Sequence, residues 1–250
     1  MSQSVTYGIH SVRVLLTRTP QRVQRVLLAA GRDAGRLGEL RELAQRASVQ
    51  VAAADDALLD RLAEGGRHQG VVAEVLPRAG DPETLLAEAL DGATGAPLLL
   101  VLDGVQDPHN LGACLRSADA AGVTAVIAPK DRAAGLTAVV RKVAAGAAES
   151  VPFVSVVNLA RTLRELKERG IWLIGTADDA DQTLFEADFT GPSALVMGSE
   201  GEGMRRLTRD TCDQLVSIPM AGAVESLNVS VATGVALFEA VRQRRAPRKK

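Results

Sequence analysis

From Leu98 onward, short unbroken apolar runs alternate with stretches of helical spacing. Leu98–Leu102, Thr124–Ala128, Ile171–Thr176, Ala194–Met197 and Leu215–Ile218 each read as a buried strand. A continuous apolar run bounded by Gly, Pro or polar residues suits a parallel strand covered on both faces. Between the runs, Leu111–Ala121, Ala138–Ala148 and Arg161–Arg169 carry helical patterns, and Gly122 and Gly170 stand where two of these helices should stop. Strands alternating with helices predict an α/β architecture: a parallel sheet with helices on both faces.

Upstream, residues 1–76 predict a smaller α/β unit. Val12–Leu16 opens a helical pattern and Val23–Ala29 reads as a strand. Leu37, Leu40, Leu43, Ala44 and Ala47 share one face of a second helix. Val49–Ala53 is a strand, Asp55–Ala63 a helix capped by Asp55 or Asp56, and Gly70–Val75 a further strand. Residues 77–96 turn small and polar around one short helix, Glu83–Leu90, and read as a linker. The second domain is then 97–245, with a basic tail at 246–250.

Composition narrows the classes. Of 250 residues, 46% are hydrophobic and 24% charged, an ordinary globular balance. No apolar run approaches the ~20 residues of a membrane span, and there is no apolar signal core near the start, so a cytoplasmic protein is expected. Cys114 and Cys212, and the histidines His10, His68 and His109, lack metal-ligand spacing, so no metal is expected. The net charge of −1 hides an uneven distribution. Arg13, Arg18, Arg22, Arg25 and Arg32 precede the first acid, Asp33, and the stretch from Arg242 to Lys250 is also basic. Such ends suit a phosphate backbone or simply a solvated surface. Aromatic residues make up only 2%, which leaves little for base stacking. The turn Gly65–Gly70, carrying Arg67, His68 and Gln69, either faces RNA or connects a helix to a strand.

Three segments carry candidate chemistry. In Asp107–Ala118, Asn110 stands where a helix cap is wanted, and Arg116 lies among Cys114, Leu115 and Ala118. Arg116 either faces solvent or needs a partner, since an unpaired buried charge is costly. The turn Gly198–Gly203 has G-x-x-G-x-G spacing, the wrong permutation for a dinucleotide fingerprint, and Glu200 and Glu202 would repel a pyrophosphate. Two carboxylates suit a cationic or hydroxyl-bearing ligand instead. In the third segment, Pro219–Asn228 leads to a helix that Ser226 or Asn228 can cap, with Val229, Ala232, Thr233, Ala236, Leu237 and Ala240 as its apolar stripe. Ligands of open α/β sheets bind beyond the carboxyl ends of strands, so the two turns together predict a small-molecule pocket. No nucleophile elbow or P-loop occurs.

Taken in order, DPHNLGACLRSADAAGV, ALVMGSEGEGM and SIPMAGAVESLNVSVATGVALFEAVRQR resemble the three motifs of the SpoU/TrmH (SPOUT) family of RNA ribose 2′-O-methyltransferases. The likeness continues in YGIH (Tyr7–His10), RHQGV (Arg67–Val71) and KVAAGAAESVPF (Lys142–Phe153), and is nearest to the subgroup that modifies a guanosine in the peptidyl-transferase loop of 23S rRNA. The resemblance implies a C-terminal parallel-sheet methyltransferase domain with a deep trefoil knot. It also implies a small N-terminal L30e-like RNA-binding domain, S-adenosyl-L-methionine as cofactor, and a homodimer acting on 23S rRNA or a large-subunit precursor. By resemblance, Arg116, Asn110, Glu200, Ser226 and Asn228 form the catalytic site. Gly198, Ile218, Leu227, Met197, Met220, Glu200, Ser226 and Asn228 hold the cofactor. Arg13, Arg18, Arg22, Arg25, Arg67, His68 and Gln69 meet RNA. A tRNA ribose methyltransferase and a non-catalytic RNA-binding assembly factor are the alternatives. Glu225, where a small or polar residue is expected, departs from the subgroup.

Overall fold

A computed structural model describes residues 4–31, 35–76 and 80–246. Arg32, Asp33, Pro77 and the tail from Pro247 lie outside the described residues. The chain divides into two compact units, one of residues 1–80 with 136–150 and one of residues 81–135 with 151–250.

The first unit is built on a four-stranded sheet. In chain order its elements are β1 (Ser4–Tyr7), α1 (Ile9–Arg18), β2 (Val23–Ala29), α2 (Arg36–Arg46), β3 (Gln50–Ala54), α3 (Asp56–Leu62) and β4 (Val71–Val75). The strand order is β1-β4-β2-β3, with β2 parallel to β3 and antiparallel to β4. Alternate residues of β2 explain the two layers of core. Val26 and Leu28 pack with Val12, Leu15 and Leu40 from α1 and α2, while Leu27 and Ala29 pack with Tyr7 and Leu59 on the other face. Asp55 caps α3 by accepting from the Leu58 N–H.

Residues 138–148, expected as one helix of the larger domain, depart from that reading twice. They form α6 (Ala138–Val143) and α7 (Ala147–Ser150), broken where Ala145 and Gly146 take φ of 51° and 95°. At Gly146 a Cβ would sit 2.8 Å from the Val14 side chain, so only glycine fits the break. This segment also belongs to the first unit. Glu149, 1% exposed, is held there by Arg141, by Arg22 at 3.2 Å and by the Thr6 hydroxyl at 3.1 Å. Alanine-rich sequence promotes helix everywhere and says nothing of partners more than a hundred residues away.

The second unit carries a seven-stranded, wholly parallel sheet of order β7-β6-β5-β10-β8-β11-β9. Its elements are α4 (Pro82–Asp91), β5 (Leu98–Asp103), α5 (Pro108–Ala121), β6 (Ala125–Pro129), β7 (Phe153–Val156), α8 (Leu159–Glu168), β8 (Trp172–Thr176), β9 (Gln182–Thr183), β10 (Ser193–Gly198), α9 (Arg206–Thr211), β11 (Gln214–Ser217) and α10 (Val229–Arg245). The central strands are buried along their whole length, as their apolar runs predict. Leu99, Val101, Ile127, Ala194 and Val196 meet Leu159, Leu163 and Leu166 of α8. Within the expected linker 77–96, the described residues include α4, which drops Leu86 into this same core.

On the other face α10 runs along α5. Its lower end is fixed by Arg244, whose guanidinium donates to the carbonyls of Phe189, Ala96, Pro97 and Gly191 and to Ser193 Oγ. Burial lowers the Arg244 pKa. Four backbone carbonyls supply the compensation that no carboxylate gives it. The strand register then decides what meets at the carboxyl edge. Because Gly198 lies opposite Asp103, the turn after β10 sits beside the loop after β5.

Candidate functional site

A cavity of about 450 Å³ opens at the carboxyl ends of β8, β10 and β11. Met197, Gly198, Glu200, Ile218, Met220, Ser226 and Leu227, all expected at a ligand site, line it. Thr176, Ala177 and Asp178 line it as well and were not anticipated. A usable signal was present: they follow an apolar strand run, where the strand-end rule applies as it does after Met197. Four lining residues are acidic, Asp178, Glu200, Glu202 and Glu225, and the one basic lining residue, Arg209, is paired with Asp179 at 3.0 Å. The cavity therefore combines apolar and acidic lining, an environment for an amphiphilic cation.

The turn that forms one wall is closed by two backbone bonds, Ser199 N–H to Gly203 O at 3.0 Å and Gly203 N–H to Ser199 O at 3.1 Å. Gly198 is required by close approach: a Cβ there would lie 2.2 Å from the Gly203 carbonyl carbon and 2.3 Å from the Met204 nitrogen. The exit of the turn is anchored by Asp103, 1% exposed at the end of β5. Its carboxylate accepts from the Arg205 backbone N–H at 2.9 Å and from Arg205 Nε at 2.6 Å. Asp103 was missed in the sequence, although a carboxylate ending an unbroken apolar run must find a donor.

Beside the cavity three side chains from three distant motifs close a triangle, of which Glu200 lines the cavity whereas Asn110 and Asn228 do not. Glu200 Oε1 accepts from Asn110 Nδ2 at 3.1 Å, from Asn228 Nδ2 at 2.6 Å and from the Val229 N–H at 3.3 Å. Asn228 Nδ2 also donates to Asn110 Oδ1 at 3.0 Å. The amide orientations follow from the network. Asn228 Oδ1 caps α10 by accepting from the Ser230 N–H and hydroxyl, which turns its NH₂ toward Glu200 and Asn110. That in turn fixes Asn110 with its oxygen toward Asn228 and its nitrogen toward Glu200. A carboxylate at the first turn of α10 also has the favourable end of the helix dipole.

Asn110 is not the cap expected of it. Asp107 caps α5, accepting from the His109 N–H at 2.8 Å, with Pro108 in the first turn. Proline favours the first helical position, so the cap falls one residue before it. Asn110, 9% exposed, is thereby left for the triangle. Asn228 does cap its helix. Arg116 is exposed and lies outside the triangle, with no ion pair among the described residues. Ser226 lines the cavity without a hydrogen bond of its own among the described residues.

In the first unit the residues expected to meet RNA divide. Arg22, with a side chain only 13% exposed, is turned inward to Glu149 and the Leu76 carbonyl. Glu149 is buried and Arg22 is one of its cationic partners, so this guanidinium is engaged inside the unit. Arg13 pairs with Glu39 and Arg25 with Glu74, both half-exposed. His68 accepts the Gly70 N–H at Nδ1 and therefore donates from Nε2 to Asp60 at 3.1 Å, shaping its own turn. Gln69, with φ of 55°, accepts from the Ile9 N–H. Arg18 and Arg67 are exposed, without an ion pair among the described residues.

Comparison with known proteins adds a second line of evidence. The SpoU rRNA Methylase family matches residues 97–238, and the family described as RNA 2′-O ribose methyltransferase substrate binding matches residues 5–79. The 23S rRNA (guanosine-2′-O-)-methyltransferase RlmB of Ralstonia nicotianae is 59% identical over 245 residues, 98% of each chain. The protein of that name from Escherichia coli K12 is 57% identical over 98% of this chain and 100% of its own. Among solved structures, the SpoU methyltransferase AviRb from Streptomyces viridochromogenes, in complex with the cofactor AdoMet, aligns with a TM-score of 0.81 at 28% identity. That alignment covers 98% of this chain and 92% of that one. Among the described residues no helix is long and apolar enough to cross a membrane.

Proposed function

The chain belongs to the SpoU rRNA methylase family, and from that premise we propose that it methylates the ribose 2′-hydroxyl of a guanosine in 23S rRNA, using S-adenosyl-L-methionine. The observation that carries the reading is the Asn110–Glu200–Asn228 triangle, whose Glu200 also lines the acid-bearing cavity. Three separate motifs are spent on one network that reaches the cavity through Glu200.

The cavity fits the cofactor chemically. Met197, Ile218, Met220 and Leu227 provide apolar walls, the 198–203 turn brings backbone groups against the site, and the carboxylates suit a sulfonium and an ammonium. Gly198 and Ser226 belong to the same holding set. When bound, the cofactor supplies an activated methyl group. The chain's own residues position: Glu200, fixed by two amides, holds the helix end and the turn at constant separation. Such positioning is a large share of what a displacement reaction needs. A guanidinium is a poor proton acceptor, so Arg116 is not assigned as a base. Its role in this reading is to orient the ribose hydroxyl and its neighbouring phosphate.

The finer features belong to the same proposal. A trefoil knot in the second unit is supported by the chain path, in which α10 returns to α5 after β10 has entered the sheet between β5 and β8. An L30e-like role for the first unit, with Arg18 and Arg67 toward RNA, is supported by the substrate-binding family match. A homodimer is supported by Val231, Val235 and Phe238, which form an exposed apolar stripe at helical spacing on α10. Cytoplasmic residence follows from an rRNA or large-subunit precursor as substrate. The test is incubation of the protein with methyl-labelled cofactor and unmodified 23S rRNA. Label on a guanosine ribose is expected, whereas label confined to a base, or to tRNA offered in parallel, would overturn the reading.

A further inference from the structure

The carboxyl edge of the large sheet has two halves. The cavity occupies the ends of β10, β8 and β11, and the Asn110–Glu200–Asn228 triangle shares Glu200 with its lining. On the other side of β10 the sheet continues as β5, β6 and β7, and the site described so far uses nothing from the ends of β6 and β7.

The loop leaving β6 is built to reach the site. Lys130 follows directly on β6, and its N–H is bonded to the Val156 carbonyl at the end of β7. The Ala134 N–H is bonded to the Val105 carbonyl beyond β5. Between these two anchors Arg132 has φ of 57°, a left-handed backbone that a long side chain seldom adopts. Its carbonyl lies 3.9 Å from the Cβ position of Gly104, and that position is 3.5 Å from Ser199, the neighbour of Glu200. Three loops thus converge on Gly104. Adjacent strands are ~4.8 Å apart, so the end of β6 lies about 10 Å from that of β10, within a nucleotide or two of extended strand.

Lys130 and Arg132 are both exposed, and neither makes an ion pair among the described residues. Asp131 lies between them, so the loop is no mere concentration of charge. What singles it out is two unpartnered cations held on a doubly anchored, strained backbone, where strain tends to collect at functional positions. Next to them Val157, 80% exposed at the end of β7, offers an apolar surface.

We propose that Lys130 and Arg132 grip the phosphates of the RNA strand flanking the acceptor ribose, forming a phosphodiester site on the methyltransferase unit itself. This rests on the proposed ribose methylation and adds the side from which the acceptor strand arrives. The two residues are positioning residues and touch backbone, not the reacting atoms.

The test compares wild type, Lys130→Gln, Arg132→Gln, Arg132→Lys and Arg132→Gly with unmodified 23S rRNA across a salt series. Arg164→Gln, at an exposed position of α8, is the control. Each single-stranded phosphate contact contributes ~0.7 to the slope of log affinity against log salt, or about fivefold in affinity at 0.1 M. Lys130→Gln and Arg132→Gln should each raise KM for RNA about fivefold and reduce the salt slope by about 0.7, with cofactor affinity unchanged by calorimetry. Arg132→Lys should recover most of the loss. Arg132→Gly removes the cation while suiting the backbone, so it should bind RNA as weakly as Arg132→Gln without losing thermal stability. Unchanged KM and slope in an active protein would overturn the phosphate site, as would a loss confined to variants that melt early. An inactive wild type would instead overturn the underlying reading of the reaction.

Discussion

Removing Glu200 tests whether the triangle acts as a unit. Its Oε1 accepts three N–H groups, from Asn110, Asn228 and Val229. Each bond contributes a net ~0.5–1.5 kcal/mol, and a donor left unsatisfied where it is buried costs ~1–3 kcal/mol. Asn110 and Val229 are the buried partners, whereas Asn228 keeps Asn110 Oδ1 and its capping bonds to Ser230. Glu200→Ala should therefore loosen the site by about 2–4 kcal/mol in total. If the arrangement must be intact for turnover, kcat falls ~30- to 1,000-fold, at ~1.4 kcal/mol per factor of ten. Glu200→Gln keeps an oxygen for the three donors and loses only the charge. Charge-assisted bonds are roughly twice as strong as neutral ones, so the loss should be nearer tenfold.

The assay is steady-state ribose methylation at saturating RNA, with cofactor affinity by calorimetry alongside. A double-mutant cycle of Asn110→Ala and Asn228→Ala adds the coupling, expected at ~0.5–3 kcal/mol for residues in direct contact. Equal losses for Glu200→Ala and Glu200→Gln would show that charge rather than arrangement matters. Strict additivity of the two asparagine variants would show that the triangle is no unit, and the positioning argument would fall.

Four further outcomes follow from the geometry. Gly198→Ala places a Cβ 2.2 Å from backbone that cannot rotate away, so it should cost at least the ~1–3 kcal/mol of an overpacked core and abolish cofactor binding measured by calorimetry. Burial pushes the Cys114 thiol up to about 11 and the Cys212 thiol up to about 12. At pH 8 the thiolate fraction is then ~10⁻³ or less, and native alkylation should be far slower than alkylation in urea, read by mass spectrometry. Arg22→Met strips one of the cations from buried Glu149. It should lower stability by about 2–4 kcal/mol in urea titration, with Glu149→Gln in the same background restoring part of the loss. The Glu239 carboxyl is held below its ordinary value by hydrogen bonds from Arg242 and Gln243. A depressed folded pKa gives stability that is present above the unfolded value of about 4.5 and is lost as pH falls through the folded one. Glu239→Gln should therefore flatten the melting-temperature profile below about pH 4.5 and leave its shape above that unchanged.

How much of this was legible in the sequence depends on how each element is buried. β5, β6 and β10, and the middle of β8, are buried, so their apolar runs carry the signal, and all four were readable within a residue or two. β1, β7, β9 and α9 are at most six residues long and only partly covered. Too short to show a period, they left no pattern to read. At the Ala145–Gly146 break the demand for glycine comes in part from the Val14 side chain, and no local rule reports a neighbour so distant. The same holds for Arg22, which reads as one more cation in an acid-free stretch until Glu149 is placed beside it.

At the site the legible part was chemical and the illegible part combinatorial. The acids of the 198–203 turn argued for a cationic or hydroxyl-bearing ligand over a pyrophosphate, and Glu200 and Glu202 line the cavity. What the sequence could not show is that Glu200 has a second task. Sheet order rather than chain order decides which strand ends are neighbours. By entering between β5 and β8, β10 carries its turn to the first turns of both α5 and α10. One carboxylate then satisfies donors from two helices that begin 121 residues apart, at Pro108 and Val229. Each asparagine alone reads as a cap, and for Asn228 that reading holds. For Asn110 the decisive local clue was Pro108, which assigns the cap to Asp107 and so releases the asparagine. An isolated asparagine or glycine turn is weak evidence for a site because each has an adequate structural use. The specificity lies in their meeting, and that depends on the strand order.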